Sequence, residues 1–452
     1  MKMLQLFGPI THQRNQGDFS NLSNIWKHKL FRNSFVYTSC NVIGKAIPFF
    51  LLPVLTRYLT PSEYGIVATF EVLLAVGVVF VNLNMHGAVA VNFFKIAKQE
   101  LEVYIGNVLL ILGITCVLTF SIVYIVRRPL SNLIGLPESW LPVIGVIALC
   151  ESLFAITLTL WQVEQKPVPY GALEISRTVL NVTLSLMFVI ALNWRWQGRL
   201  LGIIIASLIF AFVSLLIIHR RRYIKFTFNK VYVKDALLFG VPLIPHALGG
   251  WIMTSIDRVF INSMVSVAAT GIYTVGYQVG MIIGLIGTSF NQAWSPFLFE
   301  RLEENNVVAK VRIVKFTYLY NVGILILALA LSSAAPRILG ALVGEHFHGA
   351  YKYVFWIALG YAANGMYFMV VNYIFYVKRT HGLAWITLFS AVINVILHYF
   401  LIRANGPIGA AQATTVSFVV RFILTWSLSA RVYEMPWRVW NYVGDARVGR
   451  VE

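Results

Sequence analysis

Long apolar stretches, broken by short polar ones, dominate the chain. They fall at 32-58, 64-92, 101-126, 139-163, 168-193, 199-219, 236-263, 267-299, 312-340, 352-376, 382-403 and 407-432. A helix that crosses a bilayer needs roughly 20 mostly apolar residues, so each run predicts one spanning helix, about twelve in all. Outer-membrane barrel strands would instead alternate over roughly ten residues. The fold class that follows is an all-α integral membrane protein.

Composition agrees. Hydrophobic residues make up 58% and charged residues only 12% of the 452, which a soluble domain could not keep from water. Cys40, Cys116 and Cys150 all lie in apolar runs with no CxxC or Cys/His spacing, so neither a disulfide framework nor a metal centre is expected. The net charge of +18 could suggest nucleic acid. The distribution of Lys and Arg argues against that partner: most fall in alternate connections, as at Lys95, Lys98, Arg220, Arg221, Arg222, Lys225, Arg312 and Lys378, the pattern of loops retained in the cytoplasm beside anionic lipid. Both termini are then cytoplasmic, in keeping with an even number of helices. The N-terminal segment lacks the compact apolar core and cleavage site of a signal peptide, so the first helix is expected to be a retained anchor.

The chain also repeats itself. Thr60-Pro61-Ser62-Glu63-Tyr64-Gly65-Ile66 separates the first two runs, and Ala268-Ala269-Thr270-Gly271-Ile272-Tyr273 lies at the equivalent place in the second half. Gly198 and Gly202 open the sixth run as Gly406 and Gly409 open the twelfth. Two six-helix lobes in the same orientation are expected, related by an axis along the membrane normal. The organisation is a cytoplasmic segment 1-31, an N-lobe 32-219, a basic interlobe linker 220-234, a C-lobe 235-433 and a cytoplasmic tail 434-452.

The stretch Leu51-Leu52-Pro53-Val54-Leu55-Thr56-Arg57-Tyr58-Leu59-Thr60-Pro61-Ser62-Glu63-Tyr64-Gly65 resembles the first hairpin of bacterial polysaccharide-repeat flippases. These are the O-antigen and capsule translocases of the multidrug/oligosaccharidyl-lipid/polysaccharide exporter superfamily. Phe239 to Pro245, Ile256-Asp257-Arg258, Gly271-Ile272-Tyr273 and Gln292 to Phe297 follow in that family's order. The resemblance implies a MATE-like bundle in the bacterial plasma membrane. Its implied substrate is an undecaprenyl-diphosphate-linked oligosaccharide, moved from the cytoplasmic to the outer leaflet, with a polysaccharide polymerase and a chain-length regulator as partners besides membrane lipids.

A lipid diphosphate entering a low-dielectric space needs cations, hydrogen-bond donors and room. Lys45, Arg177, Arg258 and Arg421 sit within apolar runs and are the candidate substrate-binding cations, with Trp294 as a sugar-stacking ring. Glu71, Glu151 and Asp257 lie at similar depths and are candidates for coupling-ion sites or structural ion pairs. Several plain alternatives stand beside these roles. Glu174 and Arg177 are spaced to pair on one helix, Lys45 and Glu151 to pair between helices, and Arg258 to reach the outer end. Asp257 and Arg258, as sequence neighbours, point about 100° apart and are not expected to cancel on one face. Trp251, Tyr277 and Trp294 could equally pack or anchor. No cofactor is expected, and H+, Na+ and membrane potential stay open as the drive.

Paired prolines, Pro48 and Pro53 in the first run and Pro242 and Pro245 in the seventh, mark interruptions of the kind found at moving segments. Alternating access by two rocking lobes is the expected mechanism. A multidrug exporter of the same superfamily is the alternative, and a membrane polymerase or ligase is disfavoured by short outer connections and the lack of a nucleophile-base pair.

Overall fold

The computed structural model describes residues 49-303 and 306-438. Among these residues no strand is present, and eleven helices are long and apolar enough to cross a membrane. Only the last part of the first expected helix is described, as α1 (Phe49–Tyr58).

The first half continues with α2 (Pro61–Asn82), α3 (Met85–Asn92), α4 (Lys98–Ile125), α5 (Arg127–Ile134), α6 (Val143–Val163), α7 (Pro167–Leu186) and α8 (Arg195–Arg220). The second comprises α9 (Lys230–Gly240), α10 (Ile244–Met264), α11 (Val267–Gly280), α12 (Ile282–Glu303), α13 (Val307–Leu342), α14 (Tyr351–Tyr376), α15 (His381–Asn405) and α16 (Pro407–Val432). Apolar side chains such as Ile114 on α4, Leu319 on α13 and Phe400 on α15 point out of the bundle, as lipid-facing positions do. Within it, α2, α4, α6, α7 and α8 pack together, and α10 to α16 form a second group.

The polar motif between the first two runs turns out to be a helix cap. Thr60 Oγ1 accepts from the Glu63 amide, the Glu63 carboxylate accepts from the Thr60 amide at 2.8 Å, and Pro61 takes the first helical position, where its missing N–H costs nothing. Ser266 caps α11 in the same way through the Ala269 amide.

Two expectations are corrected. The run 64-92 is not one helix, because Leu83 and Asn84 adopt left-handed backbone and divide α2 from α3. The turn presents the Leu83 carbonyl to Gly240, where a Cβ would collide with it. The run 236-263 is likewise two helices, α9 and α10, joined by a 3₁₀ turn at Val241–Leu243, since Pro242 and Pro245 supply no backbone donors there. The linker 220-234 is anchored through hydrogen bonds. Lys225 N donates to the Glu102 carbonyl, Asn107 Nδ2 donates to the Thr227 carbonyl, and Asn229 N donates to Asn107 Oδ1, so the strap lies fixed along α4. Beyond it Asp235 accepts from Asn92 at 3.1 Å and Tyr104 at 3.0 Å. Helix α9, though second-half in sequence, is therefore packed on the first half.

At the end away from the basic α8–α9 connection the two repeats meet. A Cβ on Gly65 would stand 2.0 Å from the Val267 carbonyl oxygen, and one on Gly271 would stand 2.0 Å from the Pro61 carbonyl oxygen. Only glycine permits so close an approach, and each repeat supplies it at the same place. This reciprocal seam is extended by Tyr64, whose hydroxyl donates to Gln278 at 3.0 Å and whose ring meets Phe347 edge-on. The Gly344 amide adds a bond to Thr56 Oγ1 at 3.2 Å.

Candidate functional site

Among the described residues, ionic clusters sit both inside the bundle and at its ends. In the first helix group, Arg177 on α7 donates to Glu151 on α6, which also accepts from Ser207 on α8 at 2.9 Å. The guanidinium lies 4.4 Å above the Phe154 ring. Arg177 thus finds a partner across helices, where three helices converge. Lys45 lies outside the described residues, and the Glu151 carboxylate it was matched with is engaged by Arg177 and Ser207.

Glu71 on α2 pairs with Arg199 on α8 at 3.1 Å. Arg199 also donates to Asn181 at 2.6 Å and to Ser185 at 2.8 Å. With Tyr64, Thr274 and Gln278 these two residues line a cavity of about 50 Å³ directly behind the glycine seam. Arg199 is not among the cations the sequence singled out; the available signal was the polar pair Asn181 and Ser185, four residues apart on the preceding helix.

The second group holds Asp257 and Arg258 on α10, both buried. Contrary to expectation the neighbours do pair. The long Arg258 side chain turns back so that Nη1 donates to Asp257 Oδ1 at 2.8 Å and to the Thr254 carbonyl at 2.6 Å. Tyr273 completes the carboxylate at 2.6 Å, and the guanidinium lies 3.6 Å from the Tyr277 ring centre. Tyr277 and Tyr361 share a hydrogen bond of 2.6 Å, extending the network to α14. Tyr277 thus belongs to this network, and Trp251 bridges the two groups, its Nε1 donating to the Val72 carbonyl at 3.1 Å.

Arg421 is different. It lies at the middle of α16, donates to Asn364 at the middle of α14, and covers the rings of Tyr367 at 4.4 Å and Phe418 at 5.1 Å. Among the described residues no carboxylate pairs with it. Asn364, Tyr367 and Arg421 are each partly exposed, although α14 is otherwise the most buried of the helices. Trp294 stands apart from these clusters, stacked on Phe316 with ring centres 5.0 Å apart, beside a cavity of about 750 Å³ between α12 and α13.

At the basic end, outside the spans, Glu164 accepts from Arg221 at 2.6 Å and from Lys166 at 3.0 Å. Burial works against its charge, but hydrogen bonds from Tyr223, Arg221 and Lys166 outweigh it and hold the carboxyl below its usual value. Burial, with Glu164 as acceptor, pushes the Tyr223 hydroxyl up to about 12.

An all-helical bundle of this topology, with charged clusters inside and lipid-facing apolar flanks, is that of a multi-pass membrane protein. The structure resembles an inward-facing multidrug resistance MATE family transporter of the MOP superfamily, at TM-score 0.71 and 14% identity, covering 91% of this chain and 99% of that one. It also resembles the lipid II flippase MurJ in an inward closed conformation, at TM-score 0.67 and 15% identity, covering 89% and 87%. Residues 30–302 match the polysaccharide biosynthesis protein family, and the chain belongs to it. A Haemophilus influenzae relative known as "Uncharacterized membrane protein" is 27% identical over 375 residues, 80% of this chain and 88% of the relative.

Proposed function

We propose that the chain is a flippase carrying an undecaprenyl-diphosphate-linked oligosaccharide repeat unit from the cytoplasmic to the outer leaflet of the bacterial plasma membrane. The basic end faces the cytoplasm, and the glycine seam closes the opposite end. The observation that carries this reading is Arg421, a half-buried residue at mid-span whose guanidinium has amide and aromatic partners and, among the described residues, no carboxylate. A cation left uncompensated in the bilayer costs at least ~2.5 kcal/mol on insertion scales, and an anionic cargo is what offsets it. A diphosphate meets that need and accepts the forked hydrogen bonds of arginine.

Export of cationic drugs fits less well. That cargo calls for spare carboxylates, whereas Glu71, Glu151 and Asp257 are each paired with an arginine. Ion coupling is part of the proposal, and a polymerase and a chain-length regulator are the partners that would consume the product.

The test is Arg421→Ala and Arg421→Lys in cells lacking their own flippase, followed by measuring lipid-linked repeat units in the inner leaflet and polysaccharide at the surface. Accumulation inside with normal amounts of folded protein is expected for Ala, with partial recovery for Lys. Normal surface polysaccharide in Arg421→Ala would remove Arg421 from the path.

A further inference from the structure

Helix α15 carries a polar stripe that none of the clusters above uses. Ser390, Asn394 and His398 are spaced four residues apart, so they share one helix face. All three are completely buried. His398 Nδ1 lies 2.7 Å from the Asn394 carbonyl oxygen. A carbonyl can only accept, so Nδ1 carries the hydrogen and Nε2 of the neutral ring is a bare lone pair. Among the described residues nothing donates to that Nε2, and Ser390 Oγ and both amide atoms of Asn394 are also without partners. Buried polar atoms are ordinarily satisfied, and four vacant positions along one stripe mark a place built to receive something.

The surroundings hold few charged groups. The His398 ring lies 5.7 Å from that of Phe260 on α10, which shields one side. On α10 the charged groups are Asp257 and Arg258, both close enough to act on the charge of His398 and with opposite sign, and His246 lies near the start of that helix. On α16 they are Arg421, turned to Asn364 on α14, and Arg431 in the last turn. Asp257 is already paired with Arg258, which leaves its charge compensated next to the stripe. An imidazole is the one side chain whose ordinary range changes charge between pH 5 and 8.

We propose that His398, with Asn394 and Ser390 as polar lining, is a proton-binding site within the second lobe. Nε2 takes one proton from hydronium, leaving water, to give the doubly protonated, positively charged ring, and returns it to water as hydronium in the other half of the transport cycle. The role in transport rests on the flippase assignment, while protonation itself does not.

The experiment uses full-length protein in nanodiscs with ¹³C-labelled histidine, assigned by comparison with His398→Gln, together with transport in flippase-deficient cells at external pH 5.5 to 8. One histidine signal, absent from His398→Gln, is expected to titrate within that range. His398→Gln, expressed and folded at wild-type level, is expected to lose at least tenfold of the transport rate and its pH dependence. Ser390→Ala, which removes lining and leaves the base, is expected to shift the titration midpoint and keep transport pH-dependent. A His398 signal that is silent from pH 4 to 9, or wild-type pH dependence in His398→Gln, overturns the proposal. Titration of His398 in a protein that moves no lipid-linked sugar would overturn the flippase assignment and leave the proton site standing.

Discussion

Replacing Gly271 by Ala tests the seam that closes one end of the bundle. The added Cβ would stand 2.0 Å from the Pro61 carbonyl oxygen, whereas carbon and carbonyl oxygen do not approach closer than about 3.3 Å. Helices α2 and α11 must therefore separate by roughly 1.3 Å at their first turns, and the obstructing atom is backbone, which cannot swing aside as a side-chain tip would. Overpacking of this kind costs about 1 to 3 kcal/mol. The strain is relieved when the two helices part, so it falls on the closed state alone. At 1.4 kcal/mol per tenfold, the ratio of closed to open molecules should drop by about 5- to 150-fold. The readout is the rate of maleimide labelling at Thr274→Cys, a position that lines the small cavity behind the seam and is 7% exposed. In a background without native cysteines, Gly271→Ala should speed labelling from the outer face by that factor. Gly65→Ala should do the same against the Val267 carbonyl, and the double variant should gain less than the sum, since one displacement relieves both clashes. Unchanged labelling in both single variants, with unchanged melting temperature, would refute the reasoning.

A cross-link joining α2 to α11 at the seam should abolish translocation, and full transport in the locked protein would end the rocking-lobe description. Arg199→Met leaves Asn181, Ser185 and Glu71 without their shared donor. Because the Glu71 side chain is 45% exposed, water compensates part of that loss, and a destabilisation of about 1 to 3 kcal/mol is expected in thermal unfolding, nearer the low end for Glu71→Gln. Glu164, held below its usual value when folded, contributes stability above the unfolded carboxyl range near pH 4.3 and loses it as pH falls through the folded value. Glu164→Gln should therefore flatten the acid limb of the melting temperature against pH while leaving the profile above pH 7 parallel to wild type. Lys45→Ala, outside the described residues, should accumulate inner-leaflet lipid-linked units if that lysine meets cargo, and normal export would assign it to packing.

Helices were legible in the sequence because the apolar runs have the length the bilayer demands; 407-432 and 352-376 come within one residue of α16 and α14. The break at Leu83 and Asn84 was hidden, because it is set by what Gly240 must accommodate far along the chain and not by local propensity. The same division runs through the site. Arg421 could be picked out as a deep cation with no nearby acid in the sequence, and among the described residues no carboxylate pairs with it. Pairings were harder: Arg177 to Glu151 and Arg199 to Glu71 are made between helices, so spacing along one helix pointed elsewhere. Asp257 and Arg258 show the converse limit, since backbone direction does not bound where a long guanidinium can return. The Gly-Ile steps of the two repeats were visible as a pattern, and their mutual contact emerges only when the halves are brought face to face.

The strap bound to Asn107 and the docking of α9 through Asp235 have a mechanical consequence. If the halves rock, residues 225 to 240 travel with the first half, and the pivot falls at the Val241–Leu243 turn inside the seventh transmembrane segment. A probe on α9 would report the frame of reference of the first half, one on α10 that of the second, and the distance from α9 to α4 would stay constant while α10 swings. The connection between the lobes then behaves as a crank built into a single helix, delivering any displacement to Asp257 and Arg258 with a lever arm set by the length of α10.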